Sequence, residues 1–117
     1  MAEDTVDDRV ETGWLFAFYG PLLTDRQRNL LSLYCEEDFS LSEIAAREGI
    51  SRQGVYDAVR RGERQLESYE RQLGLLNRYR RLTQGLEEGL EALRDATGEE
   101  AQRAREILAR LLSEEEE

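Results

Sequence analysis

The chain has 117 residues, a formal net charge of −10, one proline and one cysteine, with 39% hydrophobic and 36% charged residues. This profile fits one mostly helical domain, or one small domain with an appended helical arm. It excludes a membrane span, since no apolar run approaches the roughly eighteen residues required, and an intramolecular disulfide, since Cys35 is alone. With an N-terminus that is acidic, unlike a signal peptide, these features predict a cytoplasmic protein.

The first predicted helix runs from Asp8 to Tyr19. Its apolar residues recur at three- and four-residue steps, which predicts one buried face, made of Val10, Trp14, Leu15, Phe18 and Tyr19. With Phe16, the aromatic residues of this segment are expected to form the core. An aromatic platform for nucleobases would need basic neighbours, and this segment is acidic.

A second helix is predicted from Asp25 to about Cys35. Gly20 and Pro21 end the first helix, and Thr24 with Gln27 has the spacing of a capping box. The expected inner side of this helix consists of Leu30, Leu31, Leu33 and Tyr34. Residues 36–39 then form a short link to the next helix.

The stretch from Ser40 to Arg61 predicts a helix-turn-helix. Ser40 and Glu43 form a capping box for the first helix, which would bury Leu41, Ile44 and Ala45. Gly49 supplies the turn, Ile50 fills the corner, and Ser51 caps the second helix. An ordinary helical hairpin is the alternative interpretation of the same pattern.

The second helix of this motif has an apolar face and a polar face. Val55 and Val59 point toward the first helix, while the opposite face carries residue types that read DNA grooves. These are Arg52, Gln53, Tyr56, Asp57, Arg60 and Arg61, and together with Ser51 they form the predicted DNA-binding site. We expect Arg52, Gln53 and Tyr56 to contact bases, and Arg60 and Arg61 to contact the phosphate backbone.

The helical pattern continues beyond the motif as a heptad seam. Its apolar and small residues alternate steps of four and three, and they are Val55, Val59, Gly62, Leu66, Tyr69, Leu73 and Leu76. This seam either packs on the chain's own C-terminal segments or joins a second molecule. Charged residues that include Glu63 and Glu70 flank it.

The C-terminal segment predicts two amphipathic helices that form an arm. Arg78, Arg80 and Arg81 are a basic cluster that either touches phosphate or an acidic partner, or forms a solvated face. The first arm helix is lined by Leu82, Leu86, Leu90 and Leu93 and ends near Ala96, with Gly85 and Gly89 in its interior. A capping box of Thr97 and Glu100 is expected to open the last helix, and the final glutamates form an acidic tail that is expected to be disordered.

The residue types argue against an enzyme. Without histidine or lysine, the chain lacks the commonest general base, the commonest metal ligand and any Schiff-base nucleophile. Neither a glycine-rich phosphate loop nor a CxxC motif is present. Paired acids such as Glu36 and Glu37 are better explained as solvated helix surface than as a cation site. We expect no catalytic residues, no metal and no cofactor.

The acid lies mainly at the two ends of the chain. Residues 1–23 carry a net charge of −4, residues 24–81 of +1, and residues 82–117 of −7. Within the predicted recognition helix, residues 51–61, three arginines oppose one aspartate. This helix is therefore locally basic on an acidic molecule. Such a distribution is compatible with weak DNA binding and equally with a protein partner, because the field that attracts phosphate is weak.

The segment from about Trp14 to Leu73 resembles the YlxM-like family of small bacterial helix-turn-helix proteins. The motifs that carry the resemblance are FYG with LLT and RQR at 18–28, SLSEIA at 40–45 and SRQGVYD at 51–57. The resemblance implies a helix-turn-helix similar to region 4 of bacterial sigma factors. It also implies participation in, or regulation of, signal recognition particle-dependent protein targeting. The family's motif residues map to Ser51, Arg52, Gln53, Val55, Tyr56 and Asp57.

Together these observations predict an all-α fold, a right-angled helical bundle with a sigma region 4-like helix-turn-helix and a C-terminal helical arm. The expected divisions are residues 8–74, 75–113 and 114–117. We expect a DNA-binding regulator that is a homodimer, through the C-terminal helices or the seam from Val55 to Leu76. The alternative is an interaction module without DNA binding that docks on the signal recognition particle GTPase, its RNA or RNA polymerase. No membrane is expected among the partners.

Overall fold

The computed structural model describes residues 6–116, with side chains from residue 9 to residue 115, and this part of the chain is helical without a strand. The expected all-α fold with a helix-turn-helix is confirmed. Residues 1–5 and Glu117, which belong to the two acidic ends, lie outside the described residues. The chain divides into two compact units, the first ending at Leu76 and the second beginning at Asn77.

The first unit is built on one long helix. It contains α1 (Val6–Tyr19), a short 3₁₀ turn (Gly20–Leu22), α2 (Asp25–Cys35), α3 (Leu41–Glu48) and α4 (Arg52–Leu73). Helix α4 packs against α1, α2 and α3. The predicted capping box of Thr24 and Gln27 opens α2, and the predicted inner residues of α2 are all buried.

The buried face of α1 differs from the predicted one. Leu15, Phe16 and Tyr19 are buried as predicted, but Val10 is 53% exposed and Trp14 is 41% exposed. The inner stripe also includes a polar residue at position 12, whose hydroxyl bonds a carboxylate of α4. Because an inward polar residue interrupts the apolar pattern, periodicity alone selected a stripe that is rotated toward solvent.

The seam on α4 is used within the first unit. Val55, Val59 and Leu66 are buried, and a Cβ atom at Gly62 would lie 2.7 Å from Leu31 Cδ1. Since α1, α2 and α3 occupy this face, most of the seam is not available to a second molecule. The prediction of a homodimer through the seam from Val55 to Leu76 is therefore wrong for that part of it.

Helix α4 ends at a left-handed glycine, Gly74, and α5 (Leu75–Ala92) begins immediately after it. The buried hydroxyl of Tyr19 donates to Glu70 Oε1 at 2.6 Å and accepts the backbone N–H of Leu75 at 3.0 Å. Glu70 Oε1 also accepts the N–H of Leu76 at 3.0 Å. These bonds satisfy N–H groups in the first turn of α5 that have no partner within the helix.

The second unit consists of most of α5 and of α6 (Glu99–Glu116). Arg105 Nη1 donates to the carbonyls of Leu93 and Ala96, both at 2.7 Å, and so holds the turn that follows α5. A Cβ atom at Gly89 would lie 3.2 Å from Leu108 Cδ1, whereas one at Gly85 would meet open space. The two helices thus approach closely at Gly89.

Three sequence expectations for the second unit need correction. Helix α5 ends at Ala92 rather than near Ala96, because turn-type hydrogen bonds replace the helical ladder beyond it. Helix α6 begins at Glu99, which leaves Thr97 too early to cap it, and no capping box of Thr97 and Glu100 forms in this part of the chain. Helix α6 also continues to Glu116, through most of the expected tail.

Within residues 6–116, no helix is both long enough and apolar enough to cross a lipid bilayer.

Candidate nucleic-acid interface

Helix α3 begins with the predicted capping box. Ser40 Oγ accepts the backbone N–H of Glu43 at 3.1 Å, and the Glu43 carboxylate accepts the N–H of Ser40 at 2.9 Å. The bond from the Ser40 backbone, followed by the bond with its side chain, lowers the pKa of Glu43 below its ordinary value of 4.5. The two donors at this helix start are therefore satisfied locally.

The turn between α3 and α4 is set by Gly49, which has a φ of 70°. The backbone N–H groups of Gly49 and Ile50 both bond the carbonyl of Ala45, at 3.0 and 3.2 Å. Ser51 then caps α4 by accepting the N–H of Gly54 at 2.9 Å. This sequence of a left-handed glycine and a cap turns the chain from α3 into α4 within three residues, as predicted.

Gly54 lies inside the recognition helix, where glycine is unfavourable, and the adjacent cap explains its presence. A Cβ atom there would lie 3.1 Å from Ser51 Oγ, so a larger residue would crowd the cap. Glu48, just before the turn, likewise has a polar role: its carboxylate accepts a bond from Asn29 Nδ2 at 3.3 Å, which joins α3 to α2.

The first turns of α4 present a polar face. Ser51, Arg52, Gln53 and Asp57 are exposed, Tyr56 is half-buried, and Val55 is buried on the other side. Gln53 Nε2 donates to Asp57 Oδ1 at 3.0 Å, one turn further on. Because the bond uses one amide hydrogen, the other hydrogen and the amide oxygen of Gln53 stay available for a ligand.

Arg60 and Arg61, predicted as equivalent phosphate contacts, lie in different surroundings. Arg61 is exposed. Arg60 Nη1 donates to Glu63 Oε1 at 2.7 Å, and Thr12 Oγ1 donates to Glu63 Oε2 at 2.8 Å. Glu63 is only 5% exposed. The carboxylate therefore offsets the charge of Arg60, so Arg61 is the better candidate of the two for contact with phosphate.

Two residues near this face escaped the sequence analysis. Glu63 was placed among the solvated flanks of the seam; its spacing of three from Arg60 indicates an ion pair, but its contact with Thr12 depends on the packing of α1. Arg47, in the last turn of α3, has a side chain that is 60% exposed; its Nε lies 4.0 Å from Glu48 Oε2, and its guanidinium carbon lies 5.8 Å from the centre of the Phe39 ring. In helix-turn-helix proteins the first helix crosses the nucleic-acid backbone, so Arg47 joins the candidate phosphate contacts.

The basic cluster of Arg78, Arg80 and Arg81 lies on α5, and Arg78 and Arg81 line a surface cavity of about 530 Å³ together with Leu82. Among the described residues, no group of histidine, cysteine, aspartate or glutamate side chains has the arrangement of a metal site. The exposed face of α4 is thus the candidate site with the clearest geometry.

Comparison with known proteins agrees with this geometry. A family model described as "Putative helix-turn-helix protein, YlxM / p13 like" matches residues 6–107. A UPF0122 protein of Symbiobacterium thermophilum is 48% identical over 90 residues, which cover 77% of this chain and 84% of that protein.

Two further relatives have similar coverage. A UPF0122 protein of Halalkalibacterium halodurans is 44% identical over 96 residues, or 81% of this chain and 88% of that protein. One of Geobacillus kaustophilus is 46% identical over 82 residues, or 70% and 74%. This is a helix-turn-helix family and not a family of enzymes. The family model matches residues in both units, and the structure contains the helix-turn-helix with its capping residues Ser40, Gly49 and Ser51. The chain therefore belongs to the YlxM / p13-like helix-turn-helix family.

Proposed function

We propose that this protein is a cytoplasmic DNA-binding regulator that inserts the first turns of α4 into the major groove. The observation that carries the proposal is the exposed polar face of α4, held at a fixed angle to α3 by Gly49 and the cap of Ser51. The N-terminal residues of a recognition helix are those that reach base edges. Their types, arginine and glutamine, suit guanine and adenine.

In this proposal the side chains have separate roles. Arg52, Gln53 and Tyr56 contact bases, and Asp57 orients the amide of Gln53 through their hydrogen bond. Ser51 acts as the cap of the helix. The phosphate backbone is contacted mainly by Arg61 and more weakly by Arg60, whose charge is offset by Glu63.

Useful affinity requires more than one such helix. The recognition face brings few positive charges on a chain of net charge −10, so each copy binds phosphate weakly. We propose that two copies associate through the C-terminal helices, where Leu82, Ile107 and Leu111 are exposed. A homodimer places two recognition helices on two half-sites and converts weak contacts into specific binding.

The regulated process in this proposal is protein targeting by the signal recognition particle. The support for this step is the resemblance of the motifs at 18–28, 40–45 and 51–57 to the YlxM-like family, together with the family match of residues 6–107.

The proposal is tested by selecting DNA sites from random duplexes and measuring binding by fluorescence anisotropy at several salt concentrations. Arg52→Ala is expected to lower discrimination between the selected site and a mismatched site by about 1–3 kcal/mol, the value of one bidentate base contact. Arg103→Ala, which removes the same charge from an exposed position of α6, serves as the matched control. Selection of no site, or equal behaviour of the two variants, would contradict base reading by Arg52.

A second candidate function is docking, without DNA binding, on the signal recognition particle GTPase, its RNA or RNA polymerase. It is favoured by the acidic net charge and by the ion pair that occupies Arg60. Pull-down from lysate with and without nuclease separates the two. Retention of targeting components after treatment with a DNA-specific nuclease, unaffected by Arg52→Ala, would support docking; loss of all bound material on that treatment would support DNA binding.

A further inference from the structure

A groove runs along the first unit between α1 and α2. Two cavities of about 500 and 520 Å³ lie in it, and Ala17 contributes to the walls of both. One end is lined by Val10, Trp14 and Cys35, and the other by Pro21 and Ser32. The described residues that line it come from α1, the 3₁₀ turn, α2 and the link after α2, so the groove is separate from the recognition face of α4.

The groove presents exposed apolar surface at one end. Val10 and Trp14 are one helical turn apart and are 53% and 41% exposed. Gly13 lies beside them, and a Cβ atom built there meets nothing within 4 Å. Apolar side chains of a partner helix bind in grooves that offer an exposed aromatic side chain and unfilled space beside it. Trp14 and the space at Gly13, the floor of the groove, provide these two features.

The rim of the groove is acidic. Both arginines among its described lining residues are ion-paired, Arg9 with Asp38 at 3.5 Å and Arg28 with Asp25. Arg9 is held further by the carbonyls of Tyr34 and Phe39 and by the face of the Tyr34 ring, 3.9 Å from its guanidinium carbon.

Two more acids follow at the end of α2. Glu36 lines the groove, Glu37 comes next in the chain, and both are exposed. No described arginine forms an ion pair with either carboxylate, so the rim keeps a negative charge. Such a rim repels phosphate and attracts a cationic partner.

We propose that the groove between α1 and α2 is a docking site for a basic amphipathic helix of a partner protein. Leucine-type side chains of the partner would pack on Val10, Trp14 and the floor at Gly13. Its lysine or arginine side chains would face Glu36 and Glu37. This surface is independent of the DNA-binding proposal, because no described residue of α3 or α4 lines it.

The single tryptophan of the chain makes the proposal measurable. The probe is a synthetic amphipathic peptide of leucine and lysine, about 18 residues or five helical turns long. We expect it to shift Trp14 emission to shorter wavelength in a saturable manner, because the peptide removes the indole from water. A peptide of the same pattern with glutamate in place of lysine is expected to bind at least tenfold more weakly.

Two pairs of variants locate the binding. Gly13→Leu fills the floor and is expected to weaken peptide binding at least tenfold, whereas Gly85→Leu, at the other helical glycine with open space around its Cβ position, is expected to leave it unchanged. If Gly13→Leu fails to fold, Ala17→Arg, at an exposed groove position, blocks the site instead. Glu36→Gln with Glu37→Gln should weaken binding several-fold more than Glu87→Gln with Glu88→Gln on α5.

Several results would overturn the proposal. Equal effects of the two glutamate pairs would mean general attraction of a cationic peptide to an acidic protein. Undiminished binding to Gly13→Leu would place the peptide elsewhere. Self-association of the protein without peptide, abolished by Gly13→Leu but not by Gly85→Leu, would identify a second copy of this chain as the occupant. DNA affinity measured on the same variants is expected to stay unchanged, so this test is separate from that of DNA binding.

Discussion

Glu63 shows how a single carboxylate links the candidate site to the core. It is one of two buried polar or charged residues found in the described part of the chain, and the other, Thr12, donates to it. Its second oxygen is satisfied by Arg60 on the surface of α4. Since a buried carboxylate without partners is costly, Arg60 stabilises the fold in addition to any contact with a ligand.

We therefore predict that two neighbouring arginines differ in effect. Arg60→Ala is expected to lower the free energy of unfolding by about 1–3 kcal/mol, because the Glu63 carboxylate loses a charged donor while Arg60 itself is partly exposed. Arg61→Ala, an exposed control of the same charge, is expected to change it by less than about 0.5 kcal/mol. Urea unfolding followed by circular dichroism measures both. Equal midpoints would show that the ion pair with Glu63 is not a source of stability.

The arginine pair also illustrates what the sequence predicts at the residue scale. The exposed positions of α4 follow from its helical period, and the structure places Arg52, Gln53 and Arg61 outside. The ion pair of Arg60 and Glu63 could be expected from their spacing of three. The burial of that pair could not, because it depends on which residue of α1 faces α4, a property of tertiary packing.

At the scale of elements, the helix starts of the first unit were predicted correctly, whereas the helix ends of the second unit and part of the inner face of α1 were not. Capping boxes at Thr24 and Ser40 and the glycine at position 49 act locally, within about four residues, so sequence alone located them. On α1 the positions of Val10 and Trp14 were wrong, because the inner stripe of this helix includes the polar Thr12. The end of α5 was misplaced because Arg105, a residue of the following helix, stabilises the turn after it.

The two glycines of α5 give a prediction at this scale. Gly85→Ala is expected to raise the free energy of unfolding by about 0.5–1 kcal/mol. Alanine has fewer backbone conformations than glycine in the unfolded chain, and its methyl group would meet open space in the folded helix. Gly89→Ala is expected to gain less, since its methyl group would lie 3.2 Å from Leu108 Cδ1. Denaturant midpoints of the full chain measure both variants. An equal gain from both would mean that α5 and α6 do not approach closely at Gly89.

For the whole molecule, the absence of histidine has a consequence for pH dependence. No imidazole titrates near neutrality, so the stability curve is expected to be flat between about pH 6 and pH 8. Its slopes arise at the extremes. Glu43 has a lowered pKa, so its contribution is present above the ordinary value of 4.5 and is lost as pH falls through the folded pKa.

Tyr19 is expected to determine how the stability of the fold changes at alkaline pH. Burial, followed by the hydrogen bond to Glu70, raises the pKa of its hydroxyl above 10.0. The folded state therefore holds the proton more tightly than the unfolded state, and the stabilisation is complete below pH 10 and lost as pH rises through the folded pKa. Tyr19→Phe is expected to lower the free energy of unfolding by about 1–2 kcal/mol at pH 7 and to flatten this alkaline slope. Thermal unfolding from pH 7 to pH 11 measures both.

Tyr56→Phe is the control, because it also removes one tyrosine hydroxyl but lies on the recognition face of α4. It is expected to keep the alkaline decline of the wild-type protein. A Tyr19→Phe variant with an undiminished decline would show that the bonds around Gly74 do not depend on this hydroxyl.

The contact of Gly62 with Leu31 has a further consequence for the first unit. A Cβ atom at that crossing would lie 2.7 Å from Cδ1 of the buried Leu31, so a slide of α4 along α2 by one residue would force the Leu31 side chain to move. The crossing lies ten residues beyond Arg52, or about 15 Å along the helix. The crossing therefore fixes the position of α4 along its axis and its rotation about that axis. Both determine how the N-terminal turns of α4 are presented to a ligand.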